Sequence, residues 1–98
     1  MTRSITLRIK KIYFDAIADG SKKFEYRAYS DFYRRMFEKE GKIDSVTLHY
    51  QLPPRLTCRV TRIEVIPHPE HLKNDPAFPG KQVFRIGLRE PKRWSKRS

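Results

Sequence analysis

Five times along the chain, apolar side chains recur at every second position: Ile5, Leu7 and Ile9; Phe24, Tyr26 and Ala28; Val46, Leu48 and Tyr50; Leu56, Cys58 and Val60; Phe84, Ile86 and Leu88. A period of two marks a strand with one face buried and one face wet. In the fourth run the phase slips, because Ile63 and Val65 take the other parity. That predicts a bulge near Thr61 and Arg62. Two segments instead repeat at helical spacing. Tyr13, Phe14 and Ile17 share one side of a helix expected over Lys11 to Asp19, with Gly20 at its C-terminal cap. Ser30 is a suitable N-cap, Asp31 follows in the first turn, and Phe32, Tyr33, Met36 and Phe37 form an apolar stripe ending before Gly41. "QLPP" reads as a turn, and residues 66–80, with four prolines, read as an irregular loop holding one helical turn.

Ninety-eight residues with no internal linker make one domain. The order of elements predicts an α+β fold: about five short strands and two short helices, curled into a small sheet or barrel. Closure hides the sheet edges in a domain of this size. Residues 1–89 are expected to form the domain. Residues 90–98, within "REPKRWSKRS", have no apolar period and read as a mobile basic tail carrying Lys92, Arg93, Lys96 and Arg97 with Trp94.

Charge narrows the partners. Twenty-two lysines and arginines stand against eleven acids, a net charge of +11. Such an excess repels itself in a compact state and is offset by a polyanion, most commonly nucleic acid. A membrane partner is not expected, since no helix is both strongly apolar and rich in lysine. The single Cys58 cannot form an intrachain disulfide, and the charged N-terminus lacks a signal-peptide core, so a reducing, cytoplasmic setting is expected. Cys58 lies in the apolar phase of its strand and reads as a core thiol. His68 and His71 flank Glu70 at one three-residue spacing, too little to predict a metal site. No cofactor is expected, and the chain is read as a monomer.

The stretch "GSKKFEYR" at residues 20–27 places a carboxylate among cations as the second strand begins. Gly20, Lys22, Glu25 and Arg27, directly after a strand and an apolar helix, resemble the Gly-x-Lys-x-x-Glu-x-Arg signature of ASCH domains, which are PUA-like β-barrels. The resemblance covers residues 5–29. It implies a cleft beside the barrel in which Lys22 and its neighbours meet an RNA, nucleotide or nucleoside. Some members of that family resemble amidohydrolases acting on acylated cytidine, and others are linked to RNA cleavage. In the amidohydrolase group a threonine follows the lysine by three positions, where this chain has Glu25. That group's later glutamate would fall to Glu64 or Glu70.

The residues themselves allow two readings. Glu25 and Arg27 share one strand face, about 7 Å apart at Cα, and could form a solvated ion pair. Alternatively Lys22 supplies a positive charge and Arg27 a planar fork suited to phosphate, while Glu25 accepts hydrogen bonds from a base edge. If the protein is an enzyme, Lys22 and Glu25 are its reactive pair. Lys23 belongs to the same basic run. Tyr29, on the Glu25 face, is the stacking candidate, while Tyr26 and Tyr33 are expected in the core. Arg34 and Arg35 could extend a phosphate track. Nucleic acid binding, of RNA in particular because a basic cleft with aromatics suits splayed bases, is the expected function.

Overall fold

The computed structural model describes residues 2–39, 41–51 and 54–94. Strand β1 (Thr2–Arg8) leads into helix α1 (Lys11–Ala18), strand β2 (Phe24–Ala28) and helix α2 (Asp31–Glu38). Strands β3 (Lys42–His49) and β4 (Arg55–Pro67) follow, then a single 3₁₀ turn (Glu70–Leu72) and strand β5 (Gln82–Trp94). The strands form one mixed sheet in the order β1-β3-β4-β5-β2. β1 runs parallel to β3, and every other neighbouring pair is antiparallel.

This confirms a small α+β fold with five strands and two helices, but not a closed barrel. β1 and β2 are the two edges, and no ladder joins them among the described residues. The gap holds polar side chains instead: Arg27 reaches from β2 to donate to the Arg8 carbonyl at the end of β1, 2.9 Å away. A guanidinium spans what backbone pairing would have closed.

The core sits on the inner face of the sheet, where Leu7, Val46, Leu48 and Leu56 meet Phe14 and Ile17 of α1. Burial of these apolar groups supplies the main favourable term, roughly 1.5–3 kcal/mol for each large side chain. Cys58 is buried there as expected, its thiol pushed up to about 11 by desolvation. α2 is more peripheral. Tyr33, Met36 and Phe37 pack against the core, but Phe32, expected within the stripe, is exposed. The Ser30 hydroxyl accepts from the Tyr33 N–H, as an N-cap does. At the other end of α2, Arg3 donates to the carbonyls of Met36, Lys39 and Gly41. A cation on the last carbonyls complements the helix dipole and ties α2 to β1.

The expected irregularity in β4 is present as a register shift between Val60 and Arg62. A second shift follows from β5, where Glu90, in the left-handed region at φ 52°, and Pro91 stand between residues paired with Thr57 and Arg59. A proline without an N–H fits such a bulge. Beyond it β5 resumes, with Lys92, Arg93 and Trp94 opposite Thr57, Leu56 and Arg55. The stretch read as a tail from residue 90 is therefore strand as far as Trp94. Lys96 and Arg97, and the centre of the "QLPP" turn at Leu52 and Pro53, lie outside the described residues.

Candidate functional site: a cleft at the open edge of the sheet

The backbone after α1 is shaped to present Lys22. Gly20 takes φ +87°, the left-handed region that ends a helix without a Cβ penalty, and its N–H returns to the Ile17 carbonyl. The Asp19 carboxylate accepts from the Ser21 N–H at 2.8 Å, and Ser21, through its side chain first and this N–H second, holds the Asp19 pKa below the ordinary value. The Lys22 N–H then donates to the Ala16 carbonyl at 3.0 Å. With the backbone folded under α1, the Lys22 ammonium lies over two rings, 5.2 Å from the centre of Tyr13 and 5.3 Å from that of Tyr26. Two aromatic faces hold one cation without consuming its charge.

β2 turns its charged residues inward. Glu25 and Arg27 pair across the ladder with Ile86 and Phe84, both buried, whereas Phe24 and Tyr26 pair with Gly87 and Arg85. The face expected to be solvated is thus the inner one. Phe24, expected inside, is exposed beneath the Arg85 guanidinium, 4.9 Å from its ring centre. Tyr26 is half-buried on the outward side, and Tyr33 is half-buried against the core. The physical reason is the open edge: β2 has no neighbour beyond it, so its inner face borders a cavity that polar groups can line.

Glu25 is only 7% exposed, and Arg27 grips a single carboxylate oxygen, Nε and Nη2 donating to Oε2 at 3.0 and 2.8 Å. Arg27 also donates through Nη1 to the Tyr33 hydroxyl at 3.0 Å and through Nη2 to the Arg8 carbonyl. Desolvation raises the Glu25 pKa above its ordinary value of 4.5, against the opposing pull of Arg27 and Lys22. This has a consequence for stability. A folded carboxyl with a raised pKa binds more protons than the unfolded one, so its contribution is complete below pH 4.5 and is lost as pH rises through the folded pKa. Glu64, held below the ordinary value chiefly by its hydrogen bond from Arg85, acts in the opposite direction as pH falls. We expect urea midpoints of the parent, measured relative to Glu25→Gln from pH 4 to 7, to decline with rising pH. A rising difference would show that the Arg27 pair, not burial, dominates Glu25.

The cleft encloses about 690 Å³. Lys22, Glu25 and Arg27 line it together, along with Arg8, Tyr13, Tyr26 and Tyr50. Its far wall comes from the proline-rich loop, through His71, Leu72 and Phe78. His71 meets the Tyr26 ring at 5.1 Å, edge to face, and His68 anchors the loop, its Nε2 lying 2.7 Å from the Phe78 carbonyl. Sequence reading missed this wall, because a loop has no period to announce which of its apolar residues turn inward. Tyr13 was legible only as an apolar member of its helix.

The other candidate residues lie elsewhere. Lys23 is exposed, and its carbonyl accepts from the Leu88 N–H. Tyr29 packs beside Phe84, with the Arg34 guanidinium over its ring. Arg34 is paired with Asp31 and Glu38, and Arg35 shares the same wet face of α2. Glu64 sits with Arg62 and Arg85, and Glu70 with Lys73, neither of them lining the cleft. No group of three or more histidine, cysteine or carboxylate side chains is placed to hold a metal ion among the described residues. No helix among them is long and apolar enough to cross a membrane. No family model, curated protein or solved structure matches the chain.

Proposed function

We propose that the protein binds RNA, taking one nucleotide into the cleft between β1, β2 and the proline-rich loop. One observation carries this reading: an ammonium, a buried carboxylate and a guanidinium converge on one partly apolar hollow whose volume, about 690 Å³, suits a small ligand. The apolar wall of Tyr50, Leu72 and Phe78 accommodates a base, Glu25 accepts from its exocyclic or ring N–H groups, and Lys22 attracts phosphate. The net charge of +11 and the likeness of Gly20, Lys22, Glu25 and Arg27 to the ASCH signature of PUA-like barrels support the same reading. The open edge where a barrel would close is then the ligand's entry.

One further observation favours a second reading, hydrolysis of RNA or of an acylated nucleoside. Glu25 faces the cleft with a raised pKa, as a proton-transferring group requires. A single experiment addresses both readings. Binding of nucleoside monophosphates and a labelled RNA to the parent and to Lys22→Ala is expected to weaken about tenfold in the variant, the loss of one charge-assisted contact of roughly 1.5 kcal/mol. Equal affinity in both proteins would remove the cleft from the reading. The same mixtures, with acetylated cytidine added and Glu25→Gln as control, report turnover directly; none above the control leaves binding alone.

A further inference from the structure

Both helices pack on the inner face of the sheet, through Phe14 against Tyr50 and Phe37 against Phe84. On the outer face Thr6, Arg8, Arg55, Arg59 and Arg89 are exposed, and its composition is uneven. In register across β1, β3 and β4 stand Arg8, His49 and Arg55; across β3, β4 and β5 stand Ser45, Arg59 and Arg89. Between those rows run hydroxyls, Thr6, Thr47 and Thr57, the last two with Oγ1 atoms 3.5 Å apart. Residues opposite one another in a ladder point to the same side and sit close together, so each row is a line of neighbouring side chains.

The arginines of this face are not used up internally. Arg55 and Arg59 are exposed, and among the described residues no carboxylate lies within ion-pair distance of either. Arg89 has only its neighbour Glu90, 3.7 Å away with both side chains exposed. Glu64, the acid farther along β4, is already held by Arg62 and Arg85. α2 is the contrast, since there each described arginine–acid arrangement is local and Arg34 meets two carboxylates. Like charges placed directly opposite one another, as Arg59 and Arg89 are, oppose strand pairing. An anion laid across them removes that repulsion.

The face is also continuous with the cleft. Arg8 heads the first row, and its carbonyl receives Arg27 at the cleft wall. We propose that the outer face of β1, β3, β4 and β5 is a second binding surface, which takes the sugar–phosphate backbone of a nucleic-acid strand. Resting on the reading of the cleft as a nucleotide site, it makes the ligand a strand rather than a free nucleotide: one nucleotide enters the cleft, and the chain beyond it crosses Arg8, Arg55 and Arg59. Hydroxyls between the cations suit phosphate and sugar oxygens. The arginines and hydroxyls that succeed one another along these rows suit this occupant better than a lipid surface, which takes an apolar face.

The test uses the full chain and a triple variant, Arg55→Gln, Arg59→Gln and Arg89→Gln, all at exposed positions, with thermal unfolding confirming the fold. The probes are a fluorescent 20-nucleotide oligouridylate, its DNA counterpart, uridine 5′-monophosphate and phosphatidylserine vesicles. The expected result is at least a tenfold loss of affinity for the 20-mers at 100 mM salt with monophosphate binding unchanged. The slope of log affinity against log salt should become shallower by about 2, three cations at roughly 0.7 each for a single strand. Affinity within twofold of the parent and an unchanged slope overturn the proposal. So does vesicle binding that the triple variant loses while 20-mer binding persists. Loss of the 20-mers in the triple variant, with no monophosphate binding and no effect of Lys22→Ala, upholds the outer face and sinks the cleft reading instead.

Discussion

Replacing Arg27 by alanine is expected to lower the unfolding free energy by about 3–5 kcal/mol, the cost of stranding a buried charge once its partner is removed. Few changes to a single surface cation approach this. An exposed pair such as Lys11 and Asp15 is worth roughly 0–1 kcal/mol, because water solvates both partners and salt screens them. Glu25 and Arg27 differ in place, their side chains 9% and 14% exposed. Arg27 also spans the sheet opening, so its loss frees the Arg8 carbonyl and the Tyr33 hydroxyl and removes the only described side-chain bridge from β2 to β1. Urea denaturation at pH 7 measures the effect. Glu25→Gln added to the same chain should recover part of it, since a neutral amide is far cheaper to bury than an unpaired carboxylate. A loss below about 1 kcal/mol would mean that water reaches Glu25 freely and that the hollow is shallower than described.

That Arg27 matters so much could not be read from periodicity, and β2 shows why. Alternation identifies two faces of a strand but not which one the core lies behind. In β1 the apolar face of Ile5, Leu7 and Ile9 is the inner one, because β3 and α1 supply apolar neighbours. In β2 the same rule points the wrong way. Phe24 and Tyr26 share the outer side with Arg85 and Lys22, while the inner side carries a mutually neutralising pair. The Gly20–Arg27 spacing did mark three residues, Lys22, Glu25 and Arg27, that the fold brings to one cleft, since a carboxylate two positions from an arginine can be buried where neither could be alone. Features set by local chemistry were legible: the Ser30 cap, the glycine that ends α1, and the slip of phase in β4. Features set by partners distant in sequence were not. Lys92 to Trp94 join the sheet through backbone bonds to Arg55, Leu56 and Thr57, which need no apolar pattern, and so read as tail. Phe32, in the middle of an apolar stripe, stays outside because α2 lies at the margin of the core.

The buried pair also separates folding from binding. Substituting both Glu25 and Arg27 by methionine replaces two charges with unbranched apolar side chains of similar length. Such replacements of buried ion pairs are commonly neutral or stabilising by about 1–4 kcal/mol, since the desolvation of two ions is no longer required. The double variant should therefore unfold at or above the urea concentration of the parent, although Arg27→Ala alone lies far below it. On the proposed reading, its nucleotide affinity should nonetheless fall at least tenfold, because the hollow loses both the acceptor and the fork assigned to the ligand. A double variant as unstable as the single one would show that Arg27 serves the fold through its bonds to Arg8 and Tyr33, with no stability given up for the site. A double variant that is stable and still binds would place the ligand elsewhere. If it is stable and no longer binds, an arrangement costly to the fold is retained for its ligand, and the open edge of the sheet is a consequence of keeping those two charges inside.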